Sequence, residues 1–249
     1  MNKKTIAFAI TIGANILSLN TTQAQILKKI KAAAATATGM PAAAGISEGD
    51  AGAGIKEALS KGVINAVLNL NKTDGFLGSE VYKMLLPPDA LKAEKTLRKV
   101  GMGATVDKAI VQINRSAEDA VSFAKPIFID AIKTMSMQDA LGLLRGGKGA
   151  ATNFFKQKTT GALIAAFTPS VKNSLDKLDA TKLYGDLATT YNKIPLTGNK
   201  INPDLTGFVV AKAVDALFDQ VAKEENNIRE NPLARTTDVL KKVFAGVAK

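Results

Sequence analysis

The chain has 249 residues, 46% of them hydrophobic, 22% charged and only 5% aromatic, with a formal charge of +11, which fits a folded globular protein and excludes a disordered or collagen-like one. It contains neither cysteine nor histidine. Disulfides, thiolate nucleophiles, imidazole bases, iron–sulfur clusters and the usual zinc sites are thereby excluded, so no cofactor or metal is expected and any chemistry falls to carboxylates, hydroxyls, Lys and Arg.

Met1-Asn2-Lys3-Lys4 precedes an apolar run from Ile6 to Leu19, and Thr22-Gln23-Ala24 follows it. A positive start, a short apolar stretch and small residues before the break predict a secretory signal peptide over residues 1–24, cleaved after Ala24. The run is shorter than the roughly 20 residues that span a bilayer. Gln25, not Cys, would head the mature chain, so no lipid anchor is expected. The predicted location is the periplasm, with no membrane-spanning segment after cleavage. Only Lys3 and Lys4 leave with the leader, so the mature chain stays basic and is drawn toward anionic envelope components such as lipid headgroups or acidic polymers. Nucleic acid is not an expected partner: export separates the chain from it, and ten Phe, three Tyr and no Trp make poor stacking platforms.

Residues 25–46 are rich in Ala and Thr and read as a flexible leader to a domain over 47–249. Ser47 with Asp50 has the spacing of a capping box, after which Ile55, Leu59, Ala66 and Leu70 mark the first helix; Thr73-Asp74-Gly75 turns it off. Glu80 to Leu86, stopped by Pro87-Pro88, is the one candidate for an extended segment. Leu91, Glu94 and Leu97 start a helix that Gly101-Met102-Gly103 ends. From Val106 through Ile110, Ile113, Ala117, Val121, Ala124, Phe128 and Ala131 to Met135 the apolar steps of three and four are unbroken, with Pro126 predicted to kink or split this long helix one turn upstream. Ser136 with Asp139 repeats the capping spacing, and Gly146-Gly147 closes that short helix. Further helices are predicted over 150–159, 162–178 with a bend at Pro169, 180–193, 204–230 and, after Asn231-Pro232, 236–244. The fold class is all-α, a single multi-helix domain of about eight or nine helices with at most one short extended segment.

Three motif matches fail on chemistry. Gly45-Ile46-Ser47-Glu48-Gly49 has the G-x-S-x-G spacing of a nucleophile elbow, but there is no His to serve it, and Ser47 is accounted for as a helix cap. Gly142 to Lys148 matches a phosphate loop, but Gly149 stands where the metal-binding Ser or Thr belongs and a helix precedes it. Ser122/Lys125 and Ser174/Lys177 match S-x-x-K by chance. A reduced form of the second survives, with Gly146, Gly147 and the amides opening the helix at Ala150 as an anion nest beside Lys148, set against a plain interhelical turn.

Only Arg98, Arg115, Arg145, Arg229 and Arg235 are arginines, so their positions are informative. Arg115 and Glu118 share a helical face beside the Ile113/Ala117 stripe. Arg229 and Arg235 bracket the Asn231-Pro232 break, near Glu224, Glu225 and Glu230. These charges either form a structural ion-pair network or line a cleft for an acidic group. Asp74-Gly75-Phe76-Leu77, Asn114-Arg115 with Glu118, Pro126-Ile127-Phe128, Asp139-Ala140, Gly146-Gly147 with Ala150-Ala151-Thr152 and Phe155, and Asn231-Pro232 with Ala234-Arg235-Thr236-Thr237 together make the chain resemble a bacterial exported family, domain of unknown function 4197, over about residues 46–244. The resemblance implies a predominantly helical domain in a cell-envelope setting and carries no activity, substrate or catalytic residue. The function expected is a non-enzymatic periplasmic module that binds an envelope component or a protein partner. The alternatives are a carboxylate-dependent hydrolase or lyase using Glu118 as general acid, and an amphiphile-binding helical protein.

Overall fold

The structure, a computed structural model, describes residues 47–195, 200–235 and 237–245; the leader and Ala-rich segment expected over residues 1–46 lie outside them. Helix α1 (Glu48–Asn71) starts where the Ser47 hydroxyl accepts the Asp50 N–H at 3.0 Å, the Asp50 carboxylate in turn accepting from that hydroxyl. Its buried positions, Ile55, Ala58, Val63, Ala66, Val67 and Leu70, repeat at helical steps along one face. Helix α2 (Pro88–Leu97) begins on Pro88, where the missing N–H costs no helical bond. A tight kink follows at Val100 and Gly101, and Gly101 takes φ +89°, a conformation that only glycine adopts cheaply. Helix α3 (Gly103–Val121) therefore resumes at once on the far side of the kink.

The predicted long helix divides as its proline requires. The break comes at Ser122-Phe123, and Pro126 falls in the first turn of α4 (Ala124–Thr134), where it is tolerated. The capping box at Ser136 is complete: its hydroxyl accepts the Asp139 N–H and the Asp139 carboxylate accepts the Ser136 N–H, opening α5 (Met137–Arg145). Two helices expected over 150–159 and 162–178 are one, α6 (Ala150–Lys177). Gly161 does not interrupt it because Thr159, Leu163, Phe167 and Val171 continue one buried stripe, and that packing outweighs the low helix propensity of a single glycine. Helices α7 (Ala180–Asn192), α8 (Thr206–Glu230) and α9 (Asp238–Ala245) follow among the described residues.

There is no strand among the described residues. Glu80 to Leu86 turns through Tyr82 and then runs irregularly to Pro87, and at Met84 its backbone finds a side chain where a strand would have found a neighbour. Asn114 on α3 is fully buried; its Oδ1 accepts the Met84 N–H at 2.8 Å and its Nδ2 donates to the Met84 carbonyl at 2.8 Å. α3 lies centrally, packed against α1, α2, α6, α7 and α8. Phe76, Phe128, Phe155, Phe167 and Tyr184 fill the main core around it, Phe128 meeting Phe155 edge-on at 5.2 Å. A smaller apolar cluster of Ile55, Ala58, Met135, Ala140, Leu143, Ala151, Val243 and Phe244 joins the start of α1 to α5 and α9.

Candidate functional site

Glu118 faces inward from α3, 4% exposed, against the loop that joins α1 to α2. Its Oε1 accepts the N–H groups of Phe76 (3.1 Å) and Leu77 (3.2 Å), and its Oε2 takes Arg115 Nη1 at 2.7 Å. Arg115 passes on to Asp74, Nη2 to Oδ1 at 2.8 Å. The loop needs this grip because its backbone is unusual. Asp74 sits at φ +65°, and a Cβ on Gly75 would be driven into the Leu70 carbonyl. Asn71 Nδ2 adds a bond to the Glu118 carbonyl at 2.8 Å. The pairing of Arg115 with Glu118 agrees with their helical spacing, whereas Asp74, 41 residues away, is the partner that spacing could not reveal.

Glu225 on α8 does for the α5–α6 turn what Glu118 does for the α1–α2 loop. Its carboxylate accepts the N–H groups of Ala151 (3.1 Å) and Thr152 (3.0 Å) and the Thr152 hydroxyl (2.8 Å), capping α6 from another helix. Arg229, one turn further along α8, pairs with Glu225 at 2.9 Å and donates to the Leu143 carbonyl at 2.8 Å, at the end of α5. One i, i+4 pair thus holds the end of one helix and the start of the next. The opening amides of α6, which the sequence offers as an anion nest, are met by the protein's own carboxylate. Gly146 and Gly147 make the turn, Gly147 at φ +72°, and Lys148 reaches the exposed Glu230 at 3.4 Å.

Arg235 joins neither network. It is buried, donates from Nε to the Ile228 carbonyl (3.1 Å) and from Nη2 to the Arg229 carbonyl (2.7 Å), and lies over the Phe244 ring at 5.3 Å. Its charge meets the negative end of α8 and an aromatic face in place of an acid. The sequence-predicted site residues therefore stand in three places: Arg115 with Glu118; Arg229 with Gly146, Gly147 and Lys148; and Arg235 at the α8 terminus. The apolar cavity between α1, α5, α6 and α8, bounded by Ile55, Phe155, Phe244 and the Glu225–Arg229 pair, is about 40 Å³. A ligand pocket is typically about 300–1,000 Å³.

A polar cluster that sequence reasoning missed lies on the surface. The Tyr82 hydroxyl donates to Asp219 Oδ2 at 2.6 Å and accepts from Lys223 Nζ at 2.6 Å, with the ammonium 4.7 Å over the ring. Burial, then the Asp219 carboxylate, pushes the phenol above its ordinary value, and the Tyr82 hydroxyl holds Asp219 below the usual carboxylate range. The cluster borders an open groove of about 480 Å³ between α8 and residues 81–91. Val81 (70%), Leu85 (45%) and Leu91 (40%) are exposed along it. Tyr82 lies 137 residues from Asp219, so only the helical pair Asp219/Lys223 could have been read from spacing.

No group of His, Cys, Asp and Glu that could hold a metal occurs among the described residues, and no helix there is long and apolar enough to cross a membrane. The family model described as Protein of unknown function (DUF4197) matches residues 45–245. No curated protein and no solved structure matches the chain.

Proposed function

The chain belongs to the DUF4197 family of proteins of unknown function, and from that premise we propose that it is a non-enzymatic binding module of the bacterial periplasm, engaging a protein partner or another envelope component. The state of the buried carboxylates carries this reading. Glu118 and Glu225 are each spent on two backbone amides and an Arg. A general acid must instead present its carboxyl to a substrate within hydrogen-bond reach. The surface, by contrast, has an open groove rimmed by exposed aliphatic side chains, the kind of patch that marks association. The signal-like leader and the basic balance support the envelope setting.

Two measurements test the reading together. Purified protein is incubated with isolated envelope polymers and soluble fragments are counted, and photo-crosslinking side chains are placed at exposed positions for use in the producing cell. Discrete crosslinked species without polymer cleavage are expected. Cleavage that Glu118→Gln abolishes while the melting temperature holds would overturn the proposal.

A further inference from the structure

Residues Lys83 to Leu86 alternate strictly: Lys83 exposed, Met84 buried, Leu85 exposed, Leu86 buried. This is the period of a strand with one face on the core. The Asn114 amide bonds both the N–H and the carbonyl of Met84, which requires the two groups to lie on the same side, as they do in an extended residue. In such a segment the polar groups of the neighbouring residues point the opposite way. The Lys83 carbonyl and the Leu85 N–H and carbonyl have no hydrogen-bond partner among the described residues. Asn114 therefore satisfies one edge of a miniature strand and leaves the other open beside the groove along α8.

We propose that Lys83–Leu86 is an acceptor edge for an extended polypeptide segment of a partner protein, paired through the Leu85 backbone and seated in the groove between this segment and α8. The proposal rests on the reading of the chain as a binding module. Backbone pairing supplies the affinity and pockets for alternate side chains supply the selectivity. The exposed Val81, Leu85 and Leu91 meet the apolar side chains of the incoming strand. Lys83 and Lys212 line the same groove without an ion-pair partner among the described residues, against the one unpaired acid Asp215, so the complementary strand carries an acidic residue among its apolar ones. It lacks proline at the paired position, where an N–H has to be offered.

The test selects twelve-residue peptides from a displayed random library on the full chain and then measures their affinity for Leu85→Pro. That substitution removes the one N–H facing the groove, while the residue before a proline already favours the extended backbone that Met84 has. Selected peptides are expected to be acidic and apolar, to lose less affinity on Leu85→Ala, which removes only a side-chain contact, than on Leu85→Pro, and to lose at least about tenfold on Leu85→Pro, the worth of roughly one hydrogen bond. N-methylation of the paired peptide amide should cause the same loss with the protein unaltered, so the conclusion does not depend on the variant's stability. Enrichment of no peptide, indifference of the selected peptides to both changes, or self-association of the chain through this face would each overturn the proposal. Crosslinked partners found only at other faces would leave the binding-module reading standing and sink this one.

Discussion

Replacing Glu118 by Gln changes almost no volume and removes one charge, which makes it the sharpest probe of the loop it holds. The Gln carbonyl can still accept the Phe76 and Leu77 N–H groups, but its NH₂ then faces Arg115 Nη1, donor against donor. The loss is that of one charge-assisted hydrogen bond, about 2 kcal/mol. Arg115 keeps Asp74 and is 31% exposed, so water screens part of its orphaning. At about 2–4 °C per kcal/mol for a domain of this size, the melting temperature should fall by roughly 4–8 °C. Glu118→Ala also strands two backbone donors beside the core and should cost about 4 kcal/mol or more. Arg115→Ala should fall between the two, because the carboxylate it abandons retains both amides. Differential scanning calorimetry gives the order, and hydrogen exchange should show faster opening at residues 72–87 in all three. Melting temperatures within about 1 °C of the original for both Glu118→Gln and Arg115→Ala would refute the argument and make this network the first place to seek a ligand.

Glu225→Ala removes the cap of α6 and the partner of a nearly buried Arg229; a loss of about 3–5 kcal/mol is expected, with exchange rising first around residues 143–152. Asn114→Asp keeps an acceptor for the Met84 N–H but sets its second oxygen against the Met84 and Ile110 carbonyls, so it should destabilise more than Asn114→Ala at pH 7 and regain stability as acid protonates it, read by melting temperature against pH. Burial holds the Tyr184 phenol up at about 12. The neutral form is the one favoured by folding, so its contribution is intact below the ordinary value of 10.0 and is lost as pH rises through about 12; ultraviolet titration should find this phenol ionising together with alkaline unfolding. Secreted protein should begin at Gln25, with N-terminal sequencing as the check and retention of Met1 as the contrary result.

The helices were legible because their evidence is local. Ser47, Ser136 and Pro126 act within one turn of themselves, and the stripe from Val106 to Met135 needs no partner to be seen. The merging of two predicted helices at Gly161 was not legible, since it depends on what Thr159, Leu163 and Phe167 pack against. The candidate residues divide in the same way. Arg115 with Glu118 and Glu225 with Arg229 are pairs within one helix and are visible as spacing. The groups they act on are distant in sequence: the amides of Phe76 and Leu77, the opening of α6, the end of α5. The Tyr82 cluster and the open edge at Leu85 exist only because α3 and α8 flank the same loop. Their local traces, the Asp219/Lys223 spacing and the extended reading of Glu80 to Leu86 before Pro87-Pro88, do not say what the loop meets.

The smaller apolar cluster has a consequence for the order in which the chain can assemble. It packs Ile55 and Ala58 of the first described helix against Val243 and Phe244 of the last, with Arg235 fastening the approach to the end of α8. A polypeptide made from its N-terminus cannot close this cluster until α9 has emerged. Until then the cavity wall that Phe244 provides is missing and the faces of α1 and α5 beneath it are open to water. Before α9 is in place the fold stays incompletely locked, and α9 acts as a clasp that shuts late.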